Sequence, residues 1–99
     1  MAYKDKTIIR TDDVSVRQMF LEVGAEVPWH VHTQVVDTMY CLQGEMKVEL
    51  ADPQETTVLS VGERCEISVG RPHRVSAAGT EPVSYLLIQG VGKYDFQKI

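Results

Sequence analysis

The 99-residue sequence has no long apolar run, no cluster of lysine and arginine, and no closely spaced cysteine pair. Each absence excludes a class of protein. No stretch approaches the ~18–20 apolar residues that a helical membrane span needs. Met1 to Lys6 is followed by no apolar segment, so no secretory leader is expected and a cytoplasmic location is. Ten Lys and Arg against 14 Asp and Glu give a net charge of -4, with the two signs interspersed. That excludes a nucleic-acid surface and a polybasic membrane patch as partners. Cys41 and Cys65 form no CxxC motif and are expected to be reduced core residues rather than a disulfide. A convincing helix is lacking too. Val16, Met19, Phe20 and Val23 fall at helical spacing, but Val14-Ser15-Val16 favours a strand.

What is present is enough to fold. The hydrophobic fraction is 43%, close to the globular average. The length allows one domain, residues 1–99. So small a domain buries only about 60–65% of its unfolded surface, so a metal or a second subunit would help it.

Short runs of β-branched and apolar residues, separated by turn residues at regular spacing, predict an all-β barrel or sandwich of about eight or nine strands. Strands are expected at 7–10, 14–23, 27–32, 37–42, 46–50, 56–60, 64–68, 73–78 and 82–89, and the tail 90–99 as an extended end. Met46, Val48 and Leu50 alternate with Lys47 and Glu49, as a strand with one wet face should. Gly44 is the turn residue of the clearest hairpin, between 37–42 and 46–50.

The chain contains three histidines, His30, His32 and His73. In an extended segment residues i and i+2 share a face, so His30 and His32 project side by side. Imidazole is the commonest metal ligand near neutral pH, and two on one face make half a site. Asp37 follows a short turn and His73 opens a later strand. Alternation then points Asp37, Met39 and Cys41 inward with His73, Val75 and Ala77, and Thr38, Tyr40 and Leu42 outward. The expected pocket floor is Met39, Cys41, Val48, Val75 and Ala77. Tyr40, Tyr85 and Gln89 are candidate hydrogen-bonding groups for a ligand. Trp29 should face away from His30. Arg71 is read as a solvated turn residue. Val35 and Val36, apolar in a predicted turn, are candidates to cover the cavity or meet a second subunit.

These segments resemble the cupin superfamily. Its first motif is Gly, five residues, His, one, His, three or four, Glu, six, Gly. Here it reads Gly24, His30, His32, Asp37, Gly44, with every spacing met and Asp in place of Glu. The second motif is Gly, five residues, Pro, one, Gly, two, His, three, Asn. Gly62, Gly70 and His73 match it, while Ser68 replaces Pro and Ala77 replaces Asn. The resemblance implies a double-stranded β-helix, or jelly-roll barrel. It implies one divalent transition metal (Fe, Mn, Ni, Zn or Cu) held by His30, His32, His73 and Asp37, and a homodimer. Aspartate reaches about 1.5 Å less than glutamate, so Asp37 ligates directly or acts through a bound water or a histidine. Gln34 is the rival fourth donor. The function implied is a metal-dependent enzyme on a small organic molecule, dioxygenase-like or an isomerase or lyase. The alternative is a non-catalytic module that binds a small ligand or a metal.

Overall fold

The computed structural model describes residues 3–99. All regular structure among them is β, as the spacing predicts, but there are ten strands rather than eight or nine. They are β1 (Lys4–Arg10), β2 (Val14–Leu21), β3 (Glu26–Val31), β4 (Val36–Gln43), β5 (Met46–Leu50), β6 (Glu55–Leu59), β7 (Arg64–Ile67), β8 (His73–Ala77), β9 (Val83–Gly90) and β10 (Gln97–Lys98). The extra strand is β10, two residues of the tail that pair with β3. The polar Gln97-Lys98 pair carries no alternation by which a strand could be recognised.

Two five-stranded antiparallel sheets face one another, in the orders β1-β2-β9-β4-β7 and β10-β3-β8-β5-β6. Side-chain alternation decides what lies between them. In β5, Met46, Val48 and Leu50 are buried, while Lys47 and Glu49 are only half-buried. In β9, Val83, Tyr85, Leu87 and Gln89 point inward. Met46, Val48 and Cys41 have no solvent exposure and anchor the core with Leu21, Met39 and Val75. Full burial of one such side chain contributes about 1.5–3 kcal/mol. β1 lies outside this scheme: every residue in it is exposed, because it only edges β2.

Gly44 closes the β4–β5 hairpin at φ +75°, and a β-carbon there would strike the Pro82 carbonyl. Cys41 and Cys65 are both free thiols, Cys41 buried and Cys65 half-buried. The shared register then fixes the site. His30 of β3 pairs opposite His73 of β8, and Asp37 of β4 pairs opposite Gln89 of β9. One sheet supplies the histidines, and the other supplies the carboxylate that faces them.

A buried cluster of three histidines and an aspartate

The β3 strand delivers His30 through an irregularity. Its register with β8 shifts between Val27 and His30, so both are buried, although strict alternation would separate them. Pro28 falls in this bulge, where it owes the ladder no N–H. Its carbonyl lies 2.6 Å from His30 Nδ1. His32 follows the end of the strand, with Nδ1 2.5 Å from the Asp95 carbonyl. His73 Nδ1 lies 2.9 Å from the Arg71 carbonyl.

A carbonyl oxygen only accepts, so each Nδ1 carries the hydrogen and donates it. In the neutral ring that leaves the lone pair on Nε2, which is the tautomer a metal requires. Asp37 Oδ2 stands 3.1 Å from His73 Nε2 and 3.2 Å from His32 Nε2. Ligand atoms of His30, His32, Asp37 and His73 all lie within 4.8 Å of one another, and all four residues are buried. Two donors about 2.0–2.2 Å from one ion, at bond angles of 90–110°, would sit about 3.0–3.5 Å apart. The Asp37–histidine separations fall in that range, so the shorter side chain does reach the cluster. Three imidazole lone pairs and a carboxylate repel one another unless a cation or a proton lies among them. The donor set therefore fits a divalent metal.

Where a proton rather than a cation lies among these groups, the imidazole Nε2 donates to Asp37 instead. Burial pushes the Asp37 pKa up, but hydrogen bonds from His32 and His73 outweigh it and hold the carboxyl well below its usual range. Burial lowers His32, yet the Asp37 hydrogen bond and charge prevail and leave it raised. His30 has no such partner and falls to about 4, chiefly through burial.

A cavity of about 20 Å³ adjoins the cluster, room for about one water. Its walls include Met39 and Val75, as expected, together with Tyr85 and Gln89. Gln89 donates to Asp37 Oδ1 at 3.0 Å. Tyr85 is fully buried, and burial, then the Asp37 charge, raises its hydroxyl pKa.

Other expected positions lie elsewhere. Gln34 is exposed and outside the cavity lining, because the turn carries it away from the sheets' interior. Cys41 sits deeper in the core, with Sγ 3.4 Å from the Gly44 carbonyl at the hairpin end. Val48 is core and Ala77 packs at its margin, so neither floors the cavity. Tyr40 faces outward and is half-buried. Arg71 is tied down rather than solvated, bonding the Ala51 and Pro53 carbonyls and Glu55. Val35 is buried and Val36 half-buried, and neither lines the cavity. Trp29 faces away from the cluster, with the Arg74 guanidinium 5.4 Å from its ring centroid.

The sequence pattern missed Arg17 and Met19 of β2, and Tyr94 and Phe96 of the tail, all of which line the cavity. Phe96 stacks on His30 with ring centroids 4.3 Å apart. Asp95 clasps Thr33 through both carboxylate oxygens, each at 2.8 Å. The aromatic spacing of Tyr94 and Phe96, two apart like the histidines beneath them, was the available signal.

The cupin domain family matches residues 17–89, well over half of the chain. The chain belongs to the cupin family. No curated protein matches this cupin by sequence. Its fold is shared with solved structures at low identity. A conserved protein with a double-stranded β-helix domain from Klebsiella pneumoniae superposes with a TM-score of 0.87 at 23% identity, covering 98% of this chain and 79% of that one. The Cnp3 cupin domain of Schizosaccharomyces pombe gives 0.82 at 16%, covering 90% and 64%. Bacillus subtilis oxalate decarboxylase, which has Mn(II) centres, gives 0.79 at 20%, covering 89% of this cupin but 24% of that larger chain. Among the described residues no helix is long and apolar enough to cross a membrane.

Proposed function

We propose that this cupin is a metal-dependent enzyme acting on a small organic molecule, with oxygen-dependent chemistry as the leading reaction class and isomerase or lyase chemistry as its rival. The observation that carries the reading is the convergence of three Nε2 lone pairs and Asp37 Oδ2 beside a lined cavity. His30, His32, Asp37 and His73 would hold the ion and would leave part of its coordination shell for substrate and dioxygen. The bound ion would supply Lewis acidity and, if iron or manganese, one-electron chemistry. This chain's residues do the rest. Pro28, Arg71 and Asp95 carbonyls orient the imidazoles. Gln89 holds Asp37 in place, and Phe96 shields His30 from water. The Mn(II) centres of the Bacillus oxalate decarboxylase lend support to a redox-capable ion here.

The second reading is a non-catalytic metal-binding module, favoured by a cavity of only about 20 Å³. Metal analysis of untagged protein, then oxygen uptake with Fe(II) and a panel of small acids, diols and thiols, decides between them. The oxygen-dependent reading expects one metal per chain and substrate-dependent oxygen consumption that is lost in His32→Ala, whereas metal-dependent loss of a substrate without oxygen uptake points to the isomerase or lyase rival. Protein purified without metal, and unable to take it up, would sink both readings.

A cytoplasmic location and a homodimer complete the proposal. Free Cys41 and Cys65 support the first. The exposed β1 edge, with Ile8 and Ile9 each about half exposed, supports the second.

A further inference from the structure

Arg17 enters the cavity from the sheet opposite the histidines. Three neighbours fix its guanidinium. Nη1 donates to Asp5 Oδ2 at 3.0 Å, Nη2 donates to Gln89 Oε1 at 2.7 Å, and the group lies 5.4 Å from the Tyr94 ring centroid. Nε is different. It is buried without a hydrogen-bond partner, the one such side-chain nitrogen or oxygen among the described residues. A buried N–H that gives up water and gains no acceptor is a liability unless an acceptor arrives.

The chemistry of that acceptor follows from charge and shape. A dication and a guanidinium would face only Asp37 inside the cavity. Asp5 pairs with Arg17 from the outer side, where its side chain is 45% exposed. The interior is then short of negative charge. A guanidinium presents a planar fork of N–H groups that matches two carboxylate oxygens better than any neutral group. Met19, Val27 and Leu87 give apolar wall for the rest of the ligand, with the Tyr85 and Tyr94 side chains beside them.

We propose that Arg17 anchors the carboxylate of a small organic anion whose other oxygen donor faces the His30–His32–Asp37–His73 cluster. The substrate class is therefore a short hydroxy or oxo acid. The proposal rests on the metal-centre reading above. The anion must displace the Tyr94 and Phe96 side chains to enter, because the cavity as it stands holds about one water.

Glycolate and its neutral isostere glycolamide test this on Co(II)-loaded protein, read by the visible spectrum of the cobalt centre. Glycolate should give a saturable change, with glycolamide at least tenfold weaker. Arg17→Gln should weaken glycolate at least tenfold while keeping the cobalt stoichiometry, and Arg17→Lys should recover part of the loss. Equal affinity for the acid and the amide in the wild type overturns the proposal even if the variants fail to fold. Wild-type glycolate affinity in Arg17→Gln overturns it too. If cobalt does not bind at all, the metal-centre reading falls and takes this proposal with it. If cobalt binds without preference for the anion, this proposal falls alone.

Discussion

Asp37 Oδ2 stands 3.1 Å from His73 Nε2, although the two are 36 positions apart in the sequence. They come from facing sheets, Asp37 on β4 and His73 on β8. The contact therefore exists only in the folded barrel, and a metal held there is linked to folding. At a free metal concentration 100 times its dissociation constant the linkage is about 2.7 kcal/mol. For a domain of this size that is a rise in Tm of roughly 10–20 °C. Removing the metal with a chelator should reverse the shift in a differential scanning experiment. His73→Ala should show no metal-dependent shift at all. A metal-induced shift of wild-type size in the variant would show that His73 is not a ligand.

The cluster also sets a pH dependence. Asp37 stays ionised and His30 stays neutral down to about 4, while the raised His32 holds a proton that competes with the metal. In the apo protein the raised His32 pKa adds stability that is complete below the unfolded value near 6.5. It fades as pH rises through the raised folded value. In the loaded protein His32 must be neutral, so affinity rises with pH over the same range. The apo Tm should therefore fall slightly as pH rises above about 6.5, while the metal-induced shift grows. Below 6.5, the depressed His30 acts in the opposite sense. The unfolded chain binds the extra proton there, and stability drops as pH falls toward about 4. Parallel apo and loaded Tm profiles across pH 6 to 8 would contradict the assignment of His32.

Met46 provides a control far from the chemistry. It has no solvent exposure, belongs to the core, and does not line the cavity. Met46→Ala should cost about 2–5 kcal/mol by the combined loss of transfer energy and the cavity left behind. Urea unfolding measures it. Metal stoichiometry of the folded variant should stay at the wild-type value, so loss of metal from natively folded Met46→Ala would tie the core to the site in a way these contacts do not.

The ligand cluster was legible in the sequence because strand alternation and motif spacing are local properties. His30, His32, Asp37 and His73 each announce themselves by residue type and distance along the chain. Arg17 does not, because its role comes from the β2–β9 pairing that sets it one strand away from Gln89. The same holds for Phe96, whose stacking on His30 depends on where the tail crosses the barrel mouth. Gln34 misled for the converse reason. It sits near the histidines in sequence, but a turn of a few residues rotates side chains by no fixed period. Cys41 was correctly turned inward, but alternation fixes the face and not the depth. Its place at the hairpin end of β4 takes it away from the cluster. The bulge at Pro28 is also invisible to a period-two pattern, although the proline itself marks where the ladder lacks a donor.

The tail carries the last prediction. Phe96 covers His30, and Asp95 ties the segment to Thr33 by two hydrogen bonds and to His32 through its carbonyl. Phe96 itself is 36% exposed, so it contributes less packing than a core residue and more screening of the site. Phe96→Ala should open the path between the cluster and solvent without removing a ligand. Release of metal to an excess of chelator, followed by stopped flow, should speed up by about a factor of ten or more. One aromatic contact is worth about 1 kcal/mol beyond its buried area, and that area adds to it. Asp95→Ala should accelerate release by a comparable factor, because the clasp on Thr33 is what keeps the aromatic ring over the imidazole. Metal content at equilibrium should remain one per chain in the Phe96 variant. Unchanged release rates in both variants would mean that the tail decorates the barrel mouth without closing it.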